Sequence, residues 1–108
     1  MPTTTIDPSA KIITLINLFE TTPEKQDELV RLLEQATDEV MKGLPGFVSA
    51  NIHKGLDGKH VANYAQWQSQ EDFQRMLANP KAREHMGQID KIATVSPALY
   101  QVASVHKR

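Results

Sequence analysis

Asn63 and Trp67 are the two side chains best placed, by type and spacing, to hold a reacting oxygen atom. They belong to the alternating run Val61-Ala62-Asn63-Tyr64-Ala65-Gln66-Trp67. Strand side chains point alternately to opposite faces, so Val61, Asn63, Ala65 and Trp67 share one side. Four residues of strand separate the amide from the indole by about 13 Å. Neither group accepts a proton at neutral pH. Both donate hydrogen bonds, and so can orient an oxygen-bearing substrate or stabilise charge developing on it. The plain alternative is an Asn bonded to nearby backbone and a Trp serving as core.

His85 is the other side chain with chemistry to offer. An imidazole, with an ordinary pKa of about 6.5, can accept a proton or ligate iron. Beside Arg83 and Glu84 on a helical stretch it equally reads as solvated surface. His53 and His60 can face each other across a hairpin, but no third metal ligand accompanies them. Met41, Met76 and Met86 read as core filling.

Composition narrows the classes further. The chain has 108 residues, enough for one domain that buries about two thirds of its unfolded surface. It contains no cysteine, which removes thiolate nucleophiles, disulfides, iron–sulfur clusters and thiolate-bound zinc. Twelve basic and thirteen acidic residues give a net charge of −1, scattered without a basic patch, so nucleic acid is not an expected partner. No apolar run approaches the roughly 20 residues of a membrane span, and residues 1–10 carry no leader pattern. A soluble, cytoplasmic protein is expected.

The elements that must position these groups follow from pattern. Residues 1–10, with Pro2 and Pro8, read as a flexible arm, and 11–108 as one domain. Ile12 to Phe19 reads as a strand. Thr22-Pro23-Glu24 reads as a helix start, and Leu29, Val30, Leu33, Ala36, Val40 and Met41 make its apolar side, ending at Gly43. Phe47 to Lys54 alternates, with Val48, Ala50 and Ile52 expected to share the face of Asn63 and Trp67 across a turn at Gly55 to Gly58. A helix capped by Ser69 carries Phe73, Met76 and Leu77, breaks at Asn79-Pro80 and resumes over Lys81 to Met86. Leu99 to Val105 is the expected last strand. The order β-α-β-β-α-β predicts an α+β, ferredoxin-like sheet with its helices on one face. The other face, expected to hold Phe47, Tyr64 and Tyr100 among Ser49, Asn51, His53 and His60, suits pairing with a second copy, so a homodimer is expected.

Pro45-Gly46-Phe47, Asp57-Gly58 and Asn63-Tyr64-Ala65-Gln66-Trp67, followed by Ser69 and Phe73, together resemble the antibiotic biosynthesis monooxygenase family from about Leu15 to Tyr100. Within that family the chain is most similar to cofactor-free oxygenases that convert anthrones to quinones in polyketide pathways. The resemblance implies half of a dimeric α/β barrel with a pocket between sheet and helices. It also implies a small aromatic substrate, dioxygen as co-substrate and no cofactor. Asn63 and Trp67 match the positions that bind the reacting oxygens; Asn17, Phe73, Arg83 and His85 are the implied substrate contacts. A tyrosine of the anthrone oxygenases corresponds to Phe73, and a helical arginine to Met86, which leaves Arg83 or His85 to replace it. Haem-degrading monooxygenases of the same fold are a second resemblance: Asn17, Trp67 and His85 stand near their Asn, Trp and haem-ligating His, with His85 one residue from the expected position. A non-catalytic binding or stress-response dimer on the same barrel is a third expectation, because fold alone does not fix function.

Overall fold

The computed structural model describes residues 2–108, and its core divides into two clusters. Leu15, Val40, Ala65, Trp67, Phe73, Met76 and Ala82 form one, and Phe19, Leu29, Leu33, Val61 and Ile89 form the other. The division follows the strands. Along β1 (Ile13–Glu20) the helix-facing residues run Leu15, Asn17, Phe19, and along β3 (His60–Trp67) they run Val61, Asn63, Ala65, Trp67. Each strand therefore interrupts its apolar face with one carboxamide.

Four strands form an antiparallel sheet in the order β2-β3-β1-β4, with β2 at Phe47–Lys54 and β4 at Thr94–Tyr100. Helices α1 (Gln26–Glu39), α2 (Gln70–Ala78) and α3 (Pro80–Asp90) complete the ferredoxin-like α+β fold. The sheet is open within one chain, so a closed barrel needs more than this chain supplies.

The first helix begins later than the Thr-Pro signal suggests. Lys25 N donates to Thr22 O at 3.0 Å, making residues 22–25 a turn. The helix then starts at Gln26, whose buried side chain donates to the carbonyls of Gly55 (2.9 Å) and His60 (3.0 Å) and pins that end to the β2–β3 hairpin. Helix α1 gives way after Glu39 to a 3-10 turn at Met41–Gly43.

Ser69 caps α2 as expected, accepting from Asp72 N at 3.1 Å. Asn79 does more than interrupt. Its Oδ1 accepts from Lys81 N and Ala82 N, and Pro80 occupies the first turn, so Asn79-Pro80 starts α3, which runs on to Asp90 rather than ending at Met86. The arm before β1 lies against the outer sheet face: Thr4 Oγ1 donates to Asn51 Oδ1 at 2.5 Å, and Gln66 Nε2 donates to Thr5 O at 3.0 Å.

Two expectations of register are corrected. A bulge between Phe47 and Ser49 places Phe47, not Val48, against Trp67, and Val48 is exposed. Beyond it, Ala50 pairs with Ala65 and Ile52 with Asn63, so the expected parity holds for those residues. The last strand is Thr94–Tyr100 rather than Leu99 to Val105. Ser96-Pro97 reads as a break, yet β4 is an edge strand, where a missing N–H is tolerated.

Gly46 fixes the entry to β2. Its φ is +84°, and a Cβ there would collide with the Asp72 carboxylate, which accepts from Ser69 Oγ (2.9 Å) and Arg75 Nη1 (2.7 Å). Gly46→Ala is expected to lose about 1–3 kcal/mol from backbone strain alone and to loosen the cap of α2, measured as a lowered denaturation midpoint.

In the hairpin, the Lys59 backbone N–H, followed by the His60 side chain, holds the Asp57 carboxyl below the usual aspartate range. The same direction holds for Asp27, chiefly through its hydrogen bond and ion pair with Lys54 at 2.5 Å. Depressed carboxyls contribute stability above the unfolded pKa of about 3.9 and lose it as pH falls through the lower folded value. Thermal melts from pH 6 down to 2.5 are expected to show wild type losing more stability below about pH 4 than Asp57→Asn does.

Candidate functional site

The gap between the two core clusters is a cavity of about 540 Å³, within the range of roughly 300–1,000 Å³ usual for small-molecule sites. Its wall is almost wholly apolar. The cavity-facing polar residues are Asn17, Thr37, Asn63, Trp67 and Asp90. Asn17 and Asn63 are register partners across the β1–β3 ladder, so the two carboxamides stand side by side in the middle of the sheet. Thr37 is already engaged, its Oγ1 donating to Leu33 O at 2.8 Å.

Asn63 Oδ1 is buried and has no hydrogen-bond partner. An orphaned buried acceptor costs about 1–3 kcal/mol, and this one belongs to a cavity-lining residue. The structure thus argues against an Asn satisfied by neighbouring backbone. Oδ1 is turned away from the open space, and Nδ2 is the end of the carboxamide that can donate to a carbonyl or oxyanion of a bound molecule.

Trp67 closes one end. Its side chain is 2 % exposed, with Phe47 packed edge-on at 5.5 Å and 87°, and Phe73 at 6.4 Å and 66°. Both readings of Trp67 therefore hold: it is core, and it lines the cavity. Phe73 supplies an aromatic wall and Met86 an apolar one. At the other side the wall is formed by β4 through Val95, Pro97, Ala98 and Leu99, all exposed in the single chain.

Asn17, Asn63, Trp67 and Phe73 are brought together around this cavity. Arg83 and His85 are not. Arg83 is exposed, and His85 lines a separate polar depression between α1 and α3, with Gln35, Glu39, Lys81, Glu84 and Gln88, where its Nε2 lies 3.5 Å from Glu39 Oε2. A haem iron held in the cavity would need a donor there, and the helical His faces elsewhere, so Asn17, Trp67 and His85 do not form one haem-binding set. Among the described residues, no group of three or more His, Asp or Glu is placed to hold a metal ion. No helix among them is long and apolar enough to cross a membrane.

Phe47 and Asp90 were the lining residues least visible in the sequence. A bulge re-aims the first, and the signal for it is Pro45-Gly46 directly before the strand. The second lies beyond the expected end of α3.

The family model described as antibiotic biosynthesis monooxygenase matches residues 12–88. The chain is 42 % identical over 98 residues to tetracenomycin-F1 monooxygenase of Streptomyces glaucescens, covering 91 % of this chain and 88 % of that protein. Among solved structures, a variant of SnoaB, a cofactor-independent oxygenase from Streptomyces nogalater, superposes with a TM-score of 0.79 at 21 % identity, covering 89 % of this chain and 97 % of that one. The ActVA-Orf6 monooxygenase of Streptomyces coelicolor, in complex with nanaomycin D, gives 0.79 at 24 % identity, covering 94 % and 96 %. The last two show the shared fold, and the family match with the 42 % relative goes further: this chain belongs to the antibiotic biosynthesis monooxygenase family and is a monooxygenase of that type.

Proposed function

We propose that this chain oxidises an electron-rich, fused aromatic substrate of the polyketide type, anthrone to quinone, with dioxygen and without a cofactor. The observation that carries the reading is the pair of carboxamides, Asn17 and Asn63, side by side in the wall of an apolar cavity of small-molecule size. Support also comes from the tetracenomycin-F1 relative and from a fold shared with a cofactor-independent oxygenase.

Dioxygen in its triplet ground state reacts slowly with closed-shell molecules, so without a cofactor the substrate must supply the electrons itself. An anthrone does so after losing a proton, because the resulting anion is delocalised onto its carbonyl oxygen. The apolar walls bind the rings and exclude water, which strengthens any hydrogen bond to that oxygen. Asn63 Nδ2, with Asn17 beside it, donates to the oxyanion. Trp67, Phe47 and Phe73 hold the ring plane at the closed end.

The working form is a homodimer. All of β4 is exposed in one chain although four of its residues line an apolar cavity, and Leu18 and Val48 are exposed besides. A second copy covering these would shut the cavity from water. Light scattering is expected to give twice the chain mass; a monomer at micromolar concentration removes this part.

The test of the activity is oxygen uptake by purified, chelator-treated protein with dithranol as a model anthrone. Uptake above the substrate's own autoxidation, with no added flavin, haem or metal, is the expected result. A rate equal to autoxidation for dithranol and for hydroxylated fused-ring anthrones alike overturns it.

A further inference from the structure

We infer that the carboxylate of Asp90 is the proton acceptor that starts the reaction, an assignment that rests on the oxygenase reading above. An oxidation driven by the substrate's own electrons begins with the loss of a proton from carbon, so the cavity needs a base. Most of its polar groups cannot serve. Carboxamides are not basic in water, the indole is a donor only, and the Thr37 hydroxyl is a poor base already bonded to Leu33 O. Asp90 is the single lining residue with a carboxylate to offer as a base; no other titratable side chain lines the cavity from β1, β3, β4, α1 or α2. The charged groups gathered between α1 and α3, namely Glu39, Lys81, Glu84 and His85, lie in the separate polar depression.

Its place in the fold suits the role. Asp90 is the last residue of α3, just before the chain enters β4 at Thr94. Val95 pairs with Phe19, whereas Trp67 pairs with Ile13 at the other end of β1, and Asn17 and Asn63 lie between those levels. The carboxamides thus stand between the aromatic end and the end where α3 turns into β4. Asp90 is exposed in the single chain.

The chemistry closes without another reagent. One C–H bond of the substrate methylene breaks, its proton goes to the Asp90 carboxylate, and the electron pair stays on the substrate as the delocalised anion. The anion gives one electron to dioxygen; the substrate radical and superoxide recombine, forming the C–O bond, and the peroxide anion takes the proton back from Asp90. Loss of the second C–H proton to Asp90 then breaks the O–O bond. The product is the carbonyl, and the departing hydroxide takes that proton as water. In sum, CH2 and O2 become C=O and H2O.

The test is Asp90→Asn, with Asp90→Glu beside it, in dithranol oxidation followed from pH 5.5 to 9.5, with thermal unfolding as the control for fold. Because the residue is exposed, both variants are expected to melt near wild type. For Asp90→Asn, kcat at neutral pH should fall about 10²-fold with KM within a few-fold, the size of a lost general base. The deficit should shrink at alkaline pH, where the substrate ionises unaided, and added acetate should restore part of it. Asp90→Glu should keep a substantial fraction of the rate. An unchanged kcat and pH profile in Asp90→Asn, or a change confined to KM, overturns the assignment while wild-type turnover leaves the oxygenase reading standing. Absence of wild-type turnover overturns both.

Discussion

Asn63→Ala is expected to reduce dithranol turnover by about 10²–10³-fold, the loss that follows removal of one preorganised donor to a developing oxyanion. Its effect on stability should be opposite in kind to that of an ordinary core truncation. The Asn63 side chain has a buried oxygen with no partner in the free protein, so deleting it removes an unmet desolvation cost rather than a formed bond. The melting temperature is therefore expected to stay level or rise. Thermal denaturation, read beside oxygen uptake, checks both halves. A destabilisation of several kcal/mol with activity falling in proportion would mean that the amide is structural.

Trp67 separates the two roles by variant. Trp67→Ala should cost about 3–5 kcal/mol, because the indole is 2 % exposed and holds Phe47 and Phe73 around it. In a chain of this size that removes a large part of the total stability, so the variant should unfold at a markedly lower temperature or fail to accumulate. Its inactivity would say nothing of chemistry. Trp67→Phe keeps a ring and loses the N–H donor. It should retain the fold with a modest loss of stability, and its turnover should fall well beyond what unfolding explains if the indole N–H contacts the substrate. Full turnover in a folded Trp67→Phe protein would confine Trp67 to shaping the wall.

Much of this site was legible because strand alternation is rigid. Placing Asn63 and Trp67 on one face needed only the period of two, and the pairing of Asn63 with Asn17 extends the same rule to β1. Ser69 as a cap and the turn at Gly55 to Gly58 were likewise local. What escaped depended on tertiary context. Phe47 reached the cavity through a bulge that inverts the parity of one residue. Strand β4 contains a proline that local rules read as a break, and its pairing with β1 overrides that reading. Helix α1 starts where Gln26 can clamp the hairpin carbonyls, a contact between segments about thirty positions apart and invisible to capping patterns. His85 shares a helix with Met86, which does face the cavity, but the one-residue offset turns it away, whereas Arg83 lies on the side of Met86 and is exposed outside the cavity lining. A one-residue offset on a helix moves a side chain by about 100°, so position in sequence alone was a poor guide there.

The central claim is that the cavity around Asn63 carries out monooxygenation with electrons from the substrate alone. The most direct measurement is isotopic: chelator-treated protein is given dithranol under heavy-isotope dioxygen, and the quinone formed in excess of autoxidation is analysed by mass spectrometry. The prediction is one labelled oxygen per quinone, at the carbon that lost its hydrogens, with the enzyme-dependent excess abolished in Asn63→Ala. An enzyme-dependent quinone whose new oxygen comes from water, or an excess that survives undiminished in folded Asn63→Ala, would contradict it.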